Sequence, residues 1–487
     1  STARIIAALP PPQDGVAAAL MTGERSAVPA SILDSMRDSG LAHLLAISGL
    51  HIGLVAGILF AAVRAGLVMV PGVALRYPVK KCAAVAAIAG AFIYALIAGA
   101  TLPTQRAFLM IALALLGVIL DRRGLSLRSV AWAALVILAL QPESLLGASF
   151  QMSFAAVVAL VAAYEYLTQR RRRLGREAGP RRWHQTLGRY LIGIAITSLV
   201  AGAATAPFAV YHFNRFADYG LVANMLAVPL TGFWVMPWAI IGFVLMPFGA
   251  EAVGLVPMGW GIAAVVAVAE TVAGWPGAVT LLPAMPIWGL AAIALGGLWL
   301  CIWRYRWRVW GAAGVAAGLA TIFTMQPPDI LVDGGGRVLA VRGADGGLIA
   351  STVRRARFQQ EIWARLGGDE DQPRLLPTAG RAGEGAISCD AEGCLYRRNG
   401  RIAALIRQES AATEDCWTAD VVIALVPLRR RCPAAHVIDR FDLWRSGSHA
   451  VWMTGVKVRV ETVDGYRGRR PWVVGPAARR DGTGGAS

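Results

Sequence analysis

Two histidines and a serine lie within an apolar stretch near the start of the chain. His43 and His51 bracket the residues Leu-Leu-Ala-Ile-Ser-Gly-Leu, and the mostly apolar run extends from Leu41 to Val63. A polar side chain in such a run must lose its water, so polar residues in membrane segments face a bundle interior, a water-filled path or a hydrogen-bond partner. An ideal helix would place both imidazoles on one flank, but Ser48 and Gly49 can break that helix. Taken alone, the two histidines are more often structural groups than ligands or proton carriers.

Other hydrogen-bonding side chains fall within later apolar runs. The uncharged ones are Gln105, Gln151, Ser153, Asn214 and Asn224. Such groups line a wet channel or bond across helices, and the residues alone favour the second interpretation. Arg106 stands at the predicted outer mouth of a span, where its cation can meet a phosphate or anchor the helix end by snorkelling.

Several catalytic patterns are missing from the sequence. It has no GxxxxGK[ST] loop, no kinase-type glycine loop and no paired carboxylates in a membrane segment, so we expect neither ATP hydrolysis nor a proton relay. The HxHxDH ligands of a metal-dependent phosphodiesterase are also missing, and the C-terminal part has only His436 and His449. We therefore predict that the chain is not an enzyme and has no metal or cofactor.

The composition predicts a polytopic α-helical membrane protein. Of the 487 residues, 56% are hydrophobic and only 16% are charged, and the mean hydropathy is +0.54. Soluble domains carry roughly 25% charged residues. The net charge of +17 comes mainly from arginine, and it suits membrane topology, anionic lipid or a polyanionic cargo.

About ten spans are predicted from segment length and punctuation by Pro, Gly or Arg. Ser129 to Leu140 is short for a straight crossing, and Pro229 and Pro237 interrupt another segment, so some spans are expected to be broken or re-entrant. The spans centre on Leu41 to Val63, Cys82 to Ala100, Ala107 to Leu120, Ser129 to Leu140, Leu146 to Leu167, Tyr190 to Val210, Leu221 to Met246, Pro257 to Ala273, Ile287 to Ile302 and Val309 to Met325.

Positive charge predicts the sidedness. All the basic clusters fall on one side of these spans, which the positive-inside rule makes cytoplasmic. Residues before Leu41 and after Gln326 are then expected outside the cytoplasm of a bacterial inner membrane, with a periplasmic C-terminal domain. The clusters are Arg76, Lys80 and Lys81; Arg122, Arg123 and Arg128; Arg170 to Arg173 with Arg176, Arg181, Arg182 and Arg189; and Arg304, Arg306 and Arg308.

The flanking regions differ from the membrane domain predicted over residues 41–326. Residues 1–40 contain two short amphipathic patterns, which predict a surface or interfacial segment. The chain begins Ser-Thr-Ala without a signal-peptide pattern, so we expect that an N-terminal portion is lacking. Short β-rich runs over residues 327–474 predict a small sheet-rich domain, and residues 475–487 predict a disordered tail.

Four cysteines fall within this sheet-rich region. An oxidising exterior favours disulfides, and we pair Cys389 with Cys394 and Cys416 with Cys432. A four-thiolate zinc site is the less favoured alternative, because the second spacing is unlike a CxxC knuckle.

Four motifs together resemble the ComEC family of competence proteins. Their order and spacing resemble the family's competence domain over approximately residues 10–325. The motifs are His43-Leu-Leu-Ala-Ile-Ser-Gly-Leu-His51, Leu102-Pro-Thr-Gln-Arg-Ala-Phe-Leu109, Leu146-Gly-Ala-Ser-Phe-Gln-Met-Ser-Phe154, and Pro207 through Tyr211-His-Phe-Asn214 to Ala223-Asn-Met-Leu-Ala-Val-Pro229.

The resemblance implies an inner-membrane channel that passes single-stranded DNA into the cytoplasm during natural transformation. It implies an external barrel domain before the helices, which we expect this chain to lack, and a C-terminal domain that would be a reduced, metal-free relative of metallo-β-lactamases. The implied partners are DNA, membrane lipid, an external DNA-binding receptor, a cytoplasmic helicase-like translocase and a second copy in a homodimer. The implied DNA-path residues are His43, Ser48, His51, Gln105, Arg106, Gln151, Ser153, Asn214 and Asn224.

Two other functions stay open at this point. Broken helices with polar residues at membrane depth also serve secondary transporters of small or lipid-linked anions, although no internal repeat is visible. A non-conducting scaffold of a DNA-uptake complex is the third possibility.

Overall fold

The computed structural model divides the chain into two compact units. The membrane unit comprises Ser1–Thr280 and Pro286–Thr321, and the C-terminal unit comprises Leu281–Met285 and Ile322–Ser487. The residues that the structure describes are 2–47, 49–121, 126–174, 183–369, 373–428, 432–468 and 470.

The described residues of the membrane unit are mostly helical, and they include a short pair of strands, β1 (Arg215–Ala217) and β2 (Val279–Leu281), whose last residue is assigned to the C-terminal unit. Several helices begin at proline or glycine, which mark the breaks in the apolar sequence. The helices are α1 (Thr2–Ala8), α2 (Gln13–Thr22), α3 (Ala30–Asp38), α4 (Ala42–Leu45), α5 (Gly49–Val68), α6 (Pro71–Arg76), α7 (Val79–Ile97), α8 (Leu102–Ile119), α9 (Leu127–Leu140), α10 (Ala148–Arg173), α11 (Trp183–Phe213), α12 (Gly220–Leu230), α13 (Met236–Leu245), α14 (Ala252–Ala273), α15 (Ile287–Ile302) and α16 (Val309–Ala320).

Six helical stretches among the described residues are long and apolar enough to cross a membrane. Shorter apolar helices cover Pro103–Ile119, Leu127–Leu140 and Ile287–Ile302. The chain is thus a helical membrane protein, as its composition predicted. The six stretches are Gly49–Val68, Val79–Ile97, Ala148–Arg173, Gly188–Phe213, Gly220–Phe248 and Ala252–Ala273.

The prolines of the seventh predicted span distort its helix without separating the two halves. A π-helical turn at Thr231–Val235 joins α12 to α13. Pro229 and Pro237 each lack an N–H donor, and a π turn is one way in which a helix accommodates the missing bond.

The helix that would have carried both histidines is interrupted. α4 ends at Leu45, Ala46 is extended, and α5 begins at Gly49. His43 and His51 therefore belong to different helices, as the Ser48-Gly49 pair allowed.

Within residues 1–40, α2 differs from the surface segment expected from the sequence. Every residue of α2 from Gly15 to Met21 is buried, and the apolar side chains of α1 and α3 join the same core with α14. Small alanine side chains let neighbouring elements surround α2 closely. A Cβ atom added at Gly15 would lie 2.4 Å from the carbonyl oxygen of Ala27. Periodicity indicates one apolar face and could not predict a helix enclosed on all sides.

Two contacts tie this N-terminal segment to the start of α14 and to α7. Arg4 forms a bidentate ion pair with Glu251, the residue just before α14 begins. Farther along, the Tyr94 hydroxyl donates to the carbonyl oxygen of Leu20 at 3.0 Å. Hydrogen bonding to Arg4 holds the pKa of the Glu251 carboxyl below its usual range.

Contacts between helices show which ends lie together. Lys81 Nζ donates to Asp121 Oδ2 at 2.6 Å, so α7 begins where α8 ends. At the other end of α8, Arg106 bonds to Ser149 in the first turn of α10. The start of α10 and the Lys81–Asp121 pair therefore lie at opposite ends of α8.

The far end of α10 returns to the side of Lys81. There Arg304, which follows α15, donates to Glu165 of α10 at 2.8 Å. In the described part of the chain, the basic residues next to α7, α9, α10 and α15 thus share one side of the membrane unit, which we call the basic side.

Glycines let α15 and α16 pack backbone to backbone. A Cβ atom at Gly296 would lie 2.6 Å from the carbonyl oxygen of Gly311, and one at Gly318 would lie 2.6 Å from that of Gly289. Such contact is a common way for membrane helices to associate.

The C-terminal unit contains two six-stranded sheets. The first has the order β14-β13-β3-β4-β5-β6 and the second β12-β11-β10-β9-β8-β7. The strands are β3 (Ile330–Val332), β4 (Leu339–Arg342), β5 (Leu348–Ala350), β6 (Arg374–Leu375), β7 (Gly380–Ala382), β8 (Ile387–Cys389), β9 (Gly393–Arg398), β10 (Arg401–Ile406), β11 (Val421–Ala424), β12 (His436–Ile438), β13 (His449–Met453) and β14 (Val458–Thr462).

Four layers form because both faces of the central strands are apolar. In β3, Ile330 and Val332 enter a core shared by the two sheets, while Leu331 packs toward Trp363 of helix α17 (Arg357–Gly367). In β10, alternate residues enter the shared core or pack toward α18 (Ala412–Thr418). The unit is therefore a helix–sheet–sheet–helix sandwich, completed by α19 (Arg440–Ser446) and α20 (Val463–Arg467).

Candidate functional site

A polar cluster lies where α8, α10 and α11 meet, at the side of the membrane unit opposite the basic side. Its centre is Arg106, which is only 5% exposed. One terminal nitrogen donates to the Ser149 hydroxyl, and Nε is buried with no hydrogen-bond partner among the described residues. No carboxylate forms an ion pair with this guanidinium in the described part of the chain, so its charge is left for another anion.

The second pair in the cluster joins α10 to α11. His212 Nε2 lies 2.9 Å from Gln151 Oε1, and the Gln151 amide nitrogen donates to the carbonyl oxygen of Leu145 at 3.0 Å. Because an amide oxygen only accepts, His212 carries its proton on Nε2 in this pair. Ser149 and Gln151 both lie in the first turn of α10, so the Arg106–Ser149 and Gln151–His212 pairs lie at the same end of this helix.

Other predicted residues take varied positions near these helix ends. Gln105 is exposed and donates to the carbonyl oxygen of Ala100 at 2.7 Å. Ser153 is half-buried on α10. Asn214 has a positive φ of 55° directly after α11, and its N–H donates to Val210, so its backbone ends this helix. Asn224 lies on α12, and its Oδ1 is buried with no partner among the described residues.

The opening motif does not form one polar surface. His51 is fully buried in α5, whereas His43 is exposed and its Nδ1 lies 3.1 Å from the carbonyl oxygen of Gly40. Ser48 falls outside the described residues. The two histidines lie on different helices and differ in exposure, and their DNA-path roles stay predictions.

Sequence reasoning missed the two partners that complete the cluster. Ser149 and His212 both lie inside motifs that carried the family resemblance, yet neither was singled out. The sequence could have pointed to them by proximity alone, since each lies within three residues of a residue predicted to line the DNA path. Which of two neighbouring polar residues faces another helix depends on helix rotation, which the sequence does not specify.

The four cysteines of the C-terminal unit form two disulfides, Cys389–Cys394 and Cys416–Cys432. The first joins directly paired residues of β8 and β9, and the second ties α18 to the connection before β12. This is the pairing that the sequence suggested, in place of a zinc site.

Asp333 and His449 of this unit have structural partners. Asp333 begins the turn between β3 and β4 and accepts from Arg337 at 2.9 Å. His449 is buried and its Nδ1 lies 2.8 Å from the carbonyl oxygen of Gly447. Burial lowers the pKa of its imidazole. His436 lies on β12 of the other sheet.

The described residues define a polytopic helical membrane protein with a two-sheet C-terminal unit and a buried cation at one membrane face. A family model described as "Competence protein" matches residues 20–307, which is more than half of the chain. The chain belongs to the ComEC family of competence proteins.

Curated relatives share parts of the membrane unit. "ComE operon protein 3" of Bacillus subtilis is 30% identical over 244 residues, covering 50% of this chain and 28% of that protein. "Competence protein ComA" of Neisseria gonorrhoeae is 40% identical over 153 residues, covering 31% and 21%. "Recombination protein 2" of Haemophilus influenzae is 30% identical over 228 residues, covering 46% and 27%. The chain thus spans less than a third of each of these relatives. No solved structure matches the chain.

Proposed function

We propose that this protein passes single-stranded DNA across the bacterial inner membrane, and that Arg106 contacts the phosphate backbone at the outer mouth of the path. The observation that carries the proposal is the buried Arg106 guanidinium, which has a neutral hydroxyl for a partner and an unused Nε–H. A buried cation without a counter-ion is costly, and a phosphate oxygen supplies both the charge and the acceptor.

The neighbouring residues suit a polyanion that must move. Ser149 bonds to Arg106, and Gln151 and His212 offer further neutral hydrogen-bonding groups at the same end of α10, so the strand would meet one strong charge and several weaker contacts. A long chain of phosphates crossing the membrane needs contacts that exchange readily, since tight binding at many cations would hold it in place.

The sidedness of the helices supports the direction of transport. The basic side carries the clusters around Lys81, Arg170 and Arg304, and the positive-inside rule makes that side cytoplasmic. Arg106 then lies at the outer face, where DNA would enter. The chain leaves the membrane unit after α16, which begins on the basic side, and this favours a periplasmic C-terminal unit.

The alternation of helix ends supports ten crossings. Starting from α5, each apolar helix begins near the end of the one before it, and the Tyr219 and Trp275 rings, 5.1 Å apart, join the start of α12 to the end of α14. The shorter members would cross with local thinning of the bilayer or within the protein interior. The ten segments are α5, α7, α8, α9, α10, α11, α12 with α13, α14, α15 and α16.

We propose further that the chain is a conduit without enzyme activity. Its sequence has neither a phosphate-binding GK[ST] loop nor the HxHxDH ligand set, so force and strand degradation would come from partners. An external DNA-binding receptor would deliver the substrate, and a cytoplasmic helicase-like translocase would pull it.

Uptake of labelled DNA tests the role of Arg106. In a naturally transformable host that depends on this protein, Arg106→Gln should lower internalised strand by about tenfold or more while DNA bound at the cell surface is unchanged, because one charge-assisted contact is lost. Arg106→Lys keeps the charge and should retain part of the uptake. Arg64→Gln is the matched control, since Arg64 is exposed on α5 and makes no ion pair among the described residues.

The outcomes separate the three functions. Normal uptake in the Arg106→Gln strain at equal protein level would remove Arg106 from the DNA path. Normal transformation in a deletion strain that has lost uptake of a small anion would establish a secondary transporter instead. A scaffold would be indicated if uptake fails in the deletion strain but purified protein in liposomes never passes single-stranded DNA, even with the translocase present.

A further inference from the structure

Tryptophan and arginine alternate where α15 ends on the basic side. Trp299 lies in the last turn of α15, and the following connection to α16 supplies the rest of the set. We call this set the Trp–Arg cluster: Trp299, Trp303, Arg304, Arg306, Trp307 and Arg308.

The three indole rings form one packed platform. Their centroids lie 5.5 Å apart for Trp299 and Trp303, 5.3 Å for Trp299 and Trp307, and 4.5 Å for Trp303 and Trp307. Trp299 Nε1 also donates to the carbonyl oxygen of Trp307 at 3.2 Å. The Nε1–H groups of Trp303 and Trp307 have no acceptor among the described residues, and these side chains are 37% and 44% exposed. Two indole donors are therefore open to a ligand.

The three arginines carry more charge than the protein neutralises. Arg304 pairs with Glu165, and the Arg308 guanidinium lies 5.8 Å from the centre of the Tyr166 ring. Arg306 is exposed and makes no ion pair in the described part of the chain. Among the described residues, one carboxylate thus forms an ion pair with one of these three cations.

We infer that the Trp–Arg cluster binds the headgroup of an anionic phospholipid in the cytoplasmic leaflet. The phosphodiester would lie against Arg306 and Arg308, the open indole N–H groups would donate to its oxygens, and the acyl chains would follow the apolar surface of α15. Tryptophan and arginine at a membrane interface favour these contacts, and each basic residue adds to the attraction of anionic lipid.

The geometry favours lipid over single-stranded nucleic acid. Bases bind by stacking on open aromatic faces, but these rings pack against one another at tilts of 51° to 78°. The cluster also continues directly from an apolar helix, with Ile302 and Trp310 exposed beside it. The inference concerns lipid and holds whether or not the protein conducts DNA.

Lipid retention on the purified protein tests the site. Native mass spectrometry would count phosphatidylglycerol bound to the full chain in neutral detergent, against phosphatidylcholine as the neutral reference. The triple variant Arg304→Gln, Arg306→Gln, Arg308→Gln should weaken phosphatidylglycerol binding about thirtyfold, as expected for loss of two cations that have no carboxylate partner among the described residues. The matched control, Arg171→Gln, Arg172→Gln, Arg173→Gln, removes equal charge from the same side without neighbouring tryptophans, and should leave the tightest-bound lipid in place.

Further variants guard against a folding defect. Arg306→Gln changes an exposed side chain without an ion pair, so it should fold normally and weaken binding severalfold, and Trp303→Leu with Trp307→Leu should do likewise while charge is unchanged. Equal losses in the cluster and control variants would overturn the site in favour of diffuse attraction. If the cluster variants lose binding of a single-stranded oligonucleotide but retain phosphatidylglycerol, the lipid site would be overturned in favour of a nucleic-acid site.

Discussion

His212 donates from Nε2 to the amide oxygen of Gln151 across 2.9 Å, and this bond ties the end of α11 to the start of α10. Hydrogen bonds between membrane helices contribute roughly 0.6 to 2 kcal/mol. We expect His212→Leu and Gln151→Leu each to lower thermal stability in detergent, with a coupling of about 1 kcal/mol in the double variant. If the double variant loses only the sum of the two single losses, the bond between these side chains contributes nothing to stability. Gln105→Leu, at an exposed residue bonded only to backbone, is the control.

The shared basic side predicts opposite accessibilities for two exposed leucines. Leu75 lies in α6 on the basic side, and Leu146 lies just before α10 on the other. In a background with Cys82 and Cys301 replaced by serine, a membrane-impermeant thiol reagent should label cysteine at 146 in intact spheroplasts and cysteine at 75 only after permeabilisation. The reverse labelling pattern would show that the membrane topology is the opposite of the one proposed.

The glycine contact between α15 and α16 predicts a sharp difference between neighbours. Gly296→Val should destabilise the hairpin by about 1 to 3 kcal/mol, because its Cβ would overlap the Gly311 carbonyl and the backbones would have to separate. Gly297→Val is the control, since a Cβ there meets nothing within 4 Å. Thermal unfolding in detergent measures both; equal shifts would exclude close packing of this pair.

The two disulfides should differ in importance. Cys416–Cys432 closes a loop with a sequence separation of 16, whereas Cys389–Cys394 closes one of 5. Chain entropy predicts a loss of about 3 kcal/mol for Cys416→Ser with Cys432→Ser and about 2 kcal/mol for the other pair. Protease resistance of the C-terminal unit in the full chain would rank them, and mass spectrometry of unreduced peptides would test the pairing. The opposite ranking would mean that local contacts outweigh loop closure.

Asp420 should make the C-terminal unit sensitive to acid. The Ile402 N–H, at 2.9 Å, and Arg401, at 2.7 Å, bond to this carboxylate and hold its pKa below the usual range. A lowered folded-state pKa gives stability that is present above the unfolded value of about 3.9 and is lost as pH falls through the folded value. Asp420→Asn should therefore cost about 1 kcal/mol at neutral pH and reduce the further loss on acidification.

Protease resistance of the C-terminal unit at neutral and acidic pH would measure both effects. Glu361→Gln removes an exposed carboxylate, 3.6 Å from Arg365, and should change little. An unchanged acid response in the Asp420→Asn variant would show that other carboxylates set the acid limit.

The sequence by itself determined the class of protein, the family and the polar residues worth testing. These conclusions rest on apolar composition, on proline and glycine breaks and on arginine clusters. Each of these features is a local or summed property of the sequence, so it can be recognised without knowing the fold. The Cys416–Cys432 pairing and the break before Gly49 were also anticipated, since oxidising conditions and helix-breaking residues act in the same way.

Only the tertiary structure decided which polar groups meet. Burial of α2 on all sides, the bonds from Arg106 to Ser149 and from Gln151 to His212, and the ion pair of Arg4 with Glu251 depend on helix rotation and long-range packing. A polar residue in an apolar run indicates that it needs a partner, but the partner lies on another helix, dozens to hundreds of residues away. Its identity is fixed by how the helices pack together, because that packing sets the distance and direction between the two side chains.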